Sequence, residues 1–159
     1  MASLAFTLFV SLGIPALMLA GGYAVGKTVE NRHFKSLETR EAQLASITCC
    51  NLKTVANSDE VSNRFYVDAQ AVIGSDYFKT FAMKIRGIFG GELHAMQTVM
   101  QRARREALVR MCQTAHDQGA THIYNIRLET STIGRGTGNR GLPTAEVHVY
   151  GTAIRYHST

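Results

Sequence analysis

The run from Ala2 to Gly26 carries no charged side chain, and it is longer than the roughly twenty apolar residues a helix needs to cross a bilayer. A chain with such a run is expected to be tethered. Pro15 is placed to kink the helix, while Ala16, Ala20, Gly22 and Gly26 offer small side chains where a second helix could approach closely. Lys27, Arg32, Lys35 and Arg40 follow the run, and no Lys or Arg precedes it. The positive-inside rule then predicts a single-pass anchor with the C-terminal domain in the cytoplasm. The rival reading is a cleaved signal peptide. Gly22-Tyr23-Ala24 resembles a small-x-small cleavage site, but a basic leading region is missing and the apolar run is long. The expected organisation is a transmembrane helix over 1-26, a juxtamembrane helical stalk over 27-45 and an α/β domain over 46-159.

The soluble remainder is long enough for one domain with a core, yet short enough to leave much surface exposed, which self-association would cover. The formal charge of +5 comes from basic residues interleaved with acids instead of gathered in a block. Nucleic-acid binding therefore gains little support. Three cysteines without a Cys-x-x-Cys pair make no disulfide framework, in agreement with a reducing compartment. The adjacent Cys49 and Cys50 read as strand residues.

The longest soluble segment with one unbroken period runs from Gly90 to Ala120 and, between its flanking glycines, makes a helix of about seven turns. On a helical wheel Leu93, Met96, Val99, Met100, Ala103, Ala107, Leu108, Met111 and Ala115 fall on one broad arc that the rest of the domain must cover. Glu92 favours the positive end of the helix, and Gly119 supplies a left-handed stop. Arg104 lies inside the apolar arc, so it is expected to snorkel, to pair with a carboxylate or to meet a neighbouring subunit.

Ahead of that helix, no glycine or proline between Thr28 and Ile47 interrupts the continuation of the span, and Phe34, Leu37 and Leu44 make a thin apolar stripe along it. A rod that holds the domain off the membrane follows. Ser46 to Cys50 and Arg64 to Ile73 have strand composition and are separated by the turn-rich Asn57-Ser58-Asp59-Glu60, which predicts a hairpin. Gly74-Ser75-Asp76 then breaks the pattern ahead of a short helix through Phe78, Phe81, Ala82 and Ile85 to Arg86. After the long helix, Thr121 to Thr132 resumes strand composition. Ala145 to Ile154 alternates Ala145, Val147, Val149, Gly151 and Ala153 against Glu146, His148, Tyr150 and Thr152, the period of a strand with one small apolar face toward a helix. The glycine-rich Gly134 to Pro143 joins these strands and opens no helix, so it reads as a hairpin tip and not as a phosphate-binding loop.

Gly74 with Phe78, Ile85-Arg86, Gly90-Gly91-Glu92, Ala103-Arg104 with Ala107-Leu108 and Met111, Gly119-Ala120 and Gly151-Thr152-Ala153 stand together in one order and spacing. That arrangement resembles the YbjQ family, small bacterial proteins that carry a heavy-metal-binding label. The resemblance spans about Ile47 to Tyr156. It implies an α+β, dodecin-like subunit in which a small antiparallel sheet wraps one long helix, and a ring-shaped homo-oligomer, a pentamer or a multiple of it, in which Arg104 has an interface role. Met96 stands near where many relatives carry tyrosine, and His122 to Asn125 replaces their small apolar and glycine residues.

The heavy-metal label has to stand on ligands. Cys112 and His116 lie one turn apart on the long helix, a spacing that suits a thiolate and an imidazole on one ion, but they make only half a site. His94 is on the same strip about 27 Å away at about 1.5 Å per residue, too far to complete it. No intrachain metal site and no cofactor are expected, with Cys112 and His116 kept as the weak metal candidates. No catalytic triad, zinc-helix motif or nucleotide fingerprint occurs in a recognisable context, so a non-enzyme is expected. The sequence thus points to a membrane-anchored ring acting as a scaffold or binding module, with metal or small-molecule binding between subunits as the alternative.

Overall fold

A computed structural model of the chain describes residues 9–55, 57–74, 92–133 and 144–157. A π-helical turn over Phe9–Gly13 runs directly into helix α1, Ile14–Gln43, with Pro15 just after the junction. Span and stalk are one continuous helix. Its upper part is bare: Leu17 is 77% exposed and Met18 68%. The helix is long and apolar enough to cross a membrane, and none of its most apolar window is buried. The lower part behaves differently. Leu37 is fully buried, Leu44 nearly so, and Phe34 packs beside them on the same core as the sheet. The last turns of the expected stalk are therefore seated on the domain and do not stand clear of it.

After α1 come β1 (Thr48–Cys49), β2 (Val61–Gly74), the long helix α2 (Glu92–Asp117), β3 (His122–Ile133) and β4 (Thr144–Tyr156). The sheet order is β1-β3-β4-β2, with β1 parallel to β3 and the other pairings antiparallel. Two expectations are corrected here. β1 and β2 do not form a hairpin, because they lie at opposite edges of the sheet, and the sheet is mixed and not purely antiparallel. Strand composition marks which residues pair without naming the partner. Here Thr48 N–H donates to the Thr121 carbonyl and Cys50 N–H to that of Ile123, which fixes β1 beside β3.

Helix α2 covers one face of the sheet with Val99, Ala103, Ala107, Met111 and Ala115, all buried against Val67, Ala71, Ile123, Val147, Val149 and Ala153. Alanine at the contact lets helix and strands approach closely, and each larger buried side chain contributes about 1.5–3 kcal/mol. The predicted alternation of β4 is present, with Ala145, Val147, Val149, Gly151 and Ala153 facing the helix. A Cβ on Gly151 would sit 3.1 Å from both Ile123 Cγ2 and the Tyr124 carbonyl oxygen, a tight fit that would require these neighbours to give way by a few tenths of an ångström. Gly119 ends α2 at φ 75°, its N–H bonding the His116 carbonyl at 2.8 Å while Ala120 N–H reaches back to Ala115 at 2.9 Å. Asn125 also has positive φ, and it coincides with the register shift between Tyr124 and Arg127 where β3 bulges away from β4. The expected short helix over Phe78 to Arg86 and the glycine-rich segment from Gly134 to Pro143 lie outside the described residues.

Candidate functional site

The side of α2 that meets α1 carries a carboxylate where an apolar residue would be expected. Glu106 is only 5% exposed. Its Oε2 accepts from Arg40 Nη2 of α1 at 2.5 Å, its Oε1 from Arg110 Nε at 2.7 Å, and His33 Nε2 lies 3.5 Å from Oε2. A second pair lies alongside, where Arg105 Nε and Nη2 fork onto Glu41 at 2.9 and 2.7 Å. Phe34 is held beneath Arg102 and Arg105, each guanidinium carbon 5.8 Å from the ring centre. Burial alone would push the Glu106 carboxyl up, but the hydrogen bonds and charges of Arg40 and Arg110 outweigh it and hold the group below the usual carboxylate range. His33 is held below its ordinary value by burial and by the Arg102 charge, against the opposite pull of Glu106. These contacts clamp the lower end of α1 to the domain.

Glu106 was not singled out from the sequence, although it adjoins Ala103 and Ala107 on the wheel, at the edge of the buried stripe. Of the three placements open to Arg104, the pairing with a carboxylate is not made among the described residues. Within the protomer Arg104 is exposed and has no ion-pair partner among the described residues. The covered face of α2 is centred on Ala103 and turned toward Glu106, where α1 closes it, so Arg104 stands on the far edge with its charge in solvent.

Cys112 and His116, the spaced pair on α2, do not define the local chemistry together. Cys112 meets a different group: its Sγ lies 3.4 Å from Sγ of Cys49 in β1. His116 is exposed and lies 3.7 Å from its neighbour Asp117. No cluster of three or more His, Cys, Asp or Glu side chains able to hold a metal is found among the described residues. Both sulfurs are free thiols, Cys49 exposed and Cys112 half-buried. The hydrogen bond with Cys112 holds the Cys49 thiol below its ordinary value against the effect of burial, and the same bond, reinforced by burial, pushes the Cys112 thiol up. The two sulfurs share one hydrogen bond in which either thiol can donate. Nothing local in the sequence signals this contact, which joins positions 63 apart. Between α2 and β2 an open groove of about 470 Å³ is lined by Arg40, Asp68, Gln70, Arg110, Gln113 and Thr114. Its cations are engaged, Arg110 with Glu106 and with the Gln70 carbonyl at 3.0 Å, and Arg40 with Glu106.

Residues 47–157 match the family model YbjQ_1, described as "Putative heavy-metal-binding". The chain belongs to the YbjQ family. A UPF0145 protein of Hahella chejuensis is 32% identical over 104 residues, 65% of this chain and 93% of its own length. One from Clostridium novyi is 35% identical over 106 residues, covering 64% of this chain and 96% of itself. A solved protein of unknown function from Pediococcus pentosaceus is similar at a TM-score of 0.41 and 15% identity, over 70% of this chain and 96% of its own. The YbjQ match begins at Ile47, after α1 ends. Glu106, Cys49 and Cys112 thus belong to the YbjQ domain, whereas Arg40, Glu41 and His33 come from the helix that precedes it.

Proposed function

We propose that this YbjQ protein is a membrane-tethered, self-assembling binding module without catalytic activity, its domain facing the cytoplasm and its assembly a ring of five chains or a multiple. The observation that carries the reading is the division of α1: apolar and uncovered above, clamped to Glu106 and Arg105 below. A helix of that kind satisfies its own backbone in lipid and transmits the position of the membrane rigidly to the domain. A floppy linker would need no buried carboxylate at its lower end.

Self-assembly draws support from the sheet. Among the described residues β2 stands at one edge of the sheet, and β3 is met on its β1 side at His122 and Ile123 and by the Leu52 carbonyl at Asn125, with no strand paired beyond. Tyr66 is 63% exposed and Val72 56% on β2, and Leu128 43% on β3. Long unpaired edges with exposed apolar residues are what a neighbouring copy would cover.

Fractionation and labelling test the tether. The chain should remain with bacterial membranes after a high-salt wash, and a cysteine placed at the exposed Glu129 in a cysteine-free background should react with an impermeant maleimide only after lysis. Recovery of the full chain in the soluble fraction, or labelling of intact cells, would refute this placement.

A further inference from the structure

We infer that Cys49 and Cys112 together form a two-thiolate site for a soft monovalent d¹⁰ cation of the copper(I) class. The two sulfurs come from different elements, β1 and α2, and converge to 3.4 Å as free thiols. The family's description names no residues, and the inference does not depend on the membrane tether. Ligand count selects the ion. A structural zinc site needs four ligands, and no third His, Cys, Asp or Glu joins the pair among the described residues. Two thiolates alone suit a soft ion that tolerates low coordination, whereas hard cations require oxygen ligands.

Geometry permits loading with little rearrangement. Two metal–thiolate bonds of about 2.3 Å placed end to end span about 4.6 Å, so the sulfurs need to part by about 1 Å from their 3.4 Å contact. Cys49 is exposed, which leaves its side chain free to rotate and gives the ion a way in. Cys50, just past the end of β1, is the internal control, because neighbouring residues of an extended chain project to opposite faces. Loading would also tie β1, a strand of only two residues, to the long helix. Since β1 follows α1 directly, the ion would stiffen the joint between tether and domain.

The test uses the full chain in detergent, reduced with a phosphine and kept anaerobic, titrated with copper(I) against a chromophoric chelator. The expected result is one ion per chain, a thiolate-to-copper absorption band in the near ultraviolet and a rise in unfolding temperature on loading. Cys49→Ser and Cys112→Ser should each abolish stoichiometric binding, the band and the thermal shift, while Cys50→Ser keeps all three. Because Cys49 is exposed, its variant keeps the test decisive even where Cys112→Ser disturbs packing. Stoichiometric binding that survives in Cys49→Ser, or that is lost equally in Cys50→Ser, would overturn the site. Equally tight uptake of zinc by the same pair would overturn its two-coordinate character.

Discussion

Glu106 and Arg40 meet across 66 positions of sequence, Oε2 to Nη2 at 2.5 Å, with the carboxylate side chain only 6% exposed. One residue belongs to the YbjQ domain and the other to the helix ahead of it, so this contact is where the added helix becomes part of the fold. Arg110 supplies a second donor from the next turn of α2.

Glu106→Gln keeps the shape and removes the charge that Arg40 and Arg110 share. Losing the charge-assisted bonds that the buried Glu106 carboxylate accepts costs about 1–3 kcal/mol. The parallel change Glu41→Gln should cost less, about 0–1 kcal/mol, because both members of the Glu41–Arg105 pair are more than a third exposed. Urea unfolding of the two variants gives the comparison, and a larger loss for Glu41→Gln would contradict the assigned role of Glu106.

Acid should weaken the clamp in two stages. His33 sits below its ordinary 6.5 in the folded chain, so as pH falls past about 6.5 the unfolded chain takes up the proton first and stability declines. Glu106 and Glu41 sit below their ordinary 4.5, so their contribution is present above that pH and is lost as pH drops through the lower folded values. A thermal-unfolding series should show a shallow fall from about pH 6.5 and a steeper one below about 4.5. His33→Gln should remove the first stage and Glu106→Gln should blunt the second.

The end of α2 offers a packing test. Gly119 has φ 75°, and a Cβ there would clash with the Arg155 guanidinium, whose Nε donates to the Gly119 carbonyl at 3.0 Å and whose Nη2 donates to Gln118. Gly119→Ala combines left-handed strain of about 1–2 kcal/mol with partial loss of that carbonyl cap. The double variant with Arg155→Ala should be less destabilised than the two single losses added together, since both act on one contact. Strict additivity in unfolding experiments would contradict it.

The continuous rod, the long helix with its glycine stop and the alternation of β4 were legible because each rests on local period and local chemistry. The YbjQ domain was legible from spaced motifs. The edge position of β1 was not, because β propensity is blind to partner choice and β1 is held by a carbonyl of Ile123 far along the chain. The wheel placed Arg104 in the apolar arc because it assumes symmetric cover, whereas α1 closes the Glu106 side only. The Cys49–Cys112 contact left no trace in spacing, and it displaced Cys112–His116 as the pair of chemical interest.

Arg104→Ala separates folding from assembly. An exposed residue without a partner among the described residues should change protomer stability by no more than about 0.5 kcal/mol, and its proposed role lies between subunits. Sedimentation of the detergent-solubilised variant should show weaker assembly at unchanged thermal stability. Equal loss of both would mean that Arg104 acts within the protomer.

The central claim is a tethered chain that assembles with copies of itself, and the mass of the intact detergent-solubilised complex tests it most directly. Native mass spectrometry of the full chain should give five subunits or a multiple of five, with no bound nucleic acid. A monodisperse, folded monomer at micromolar concentration would contradict the account.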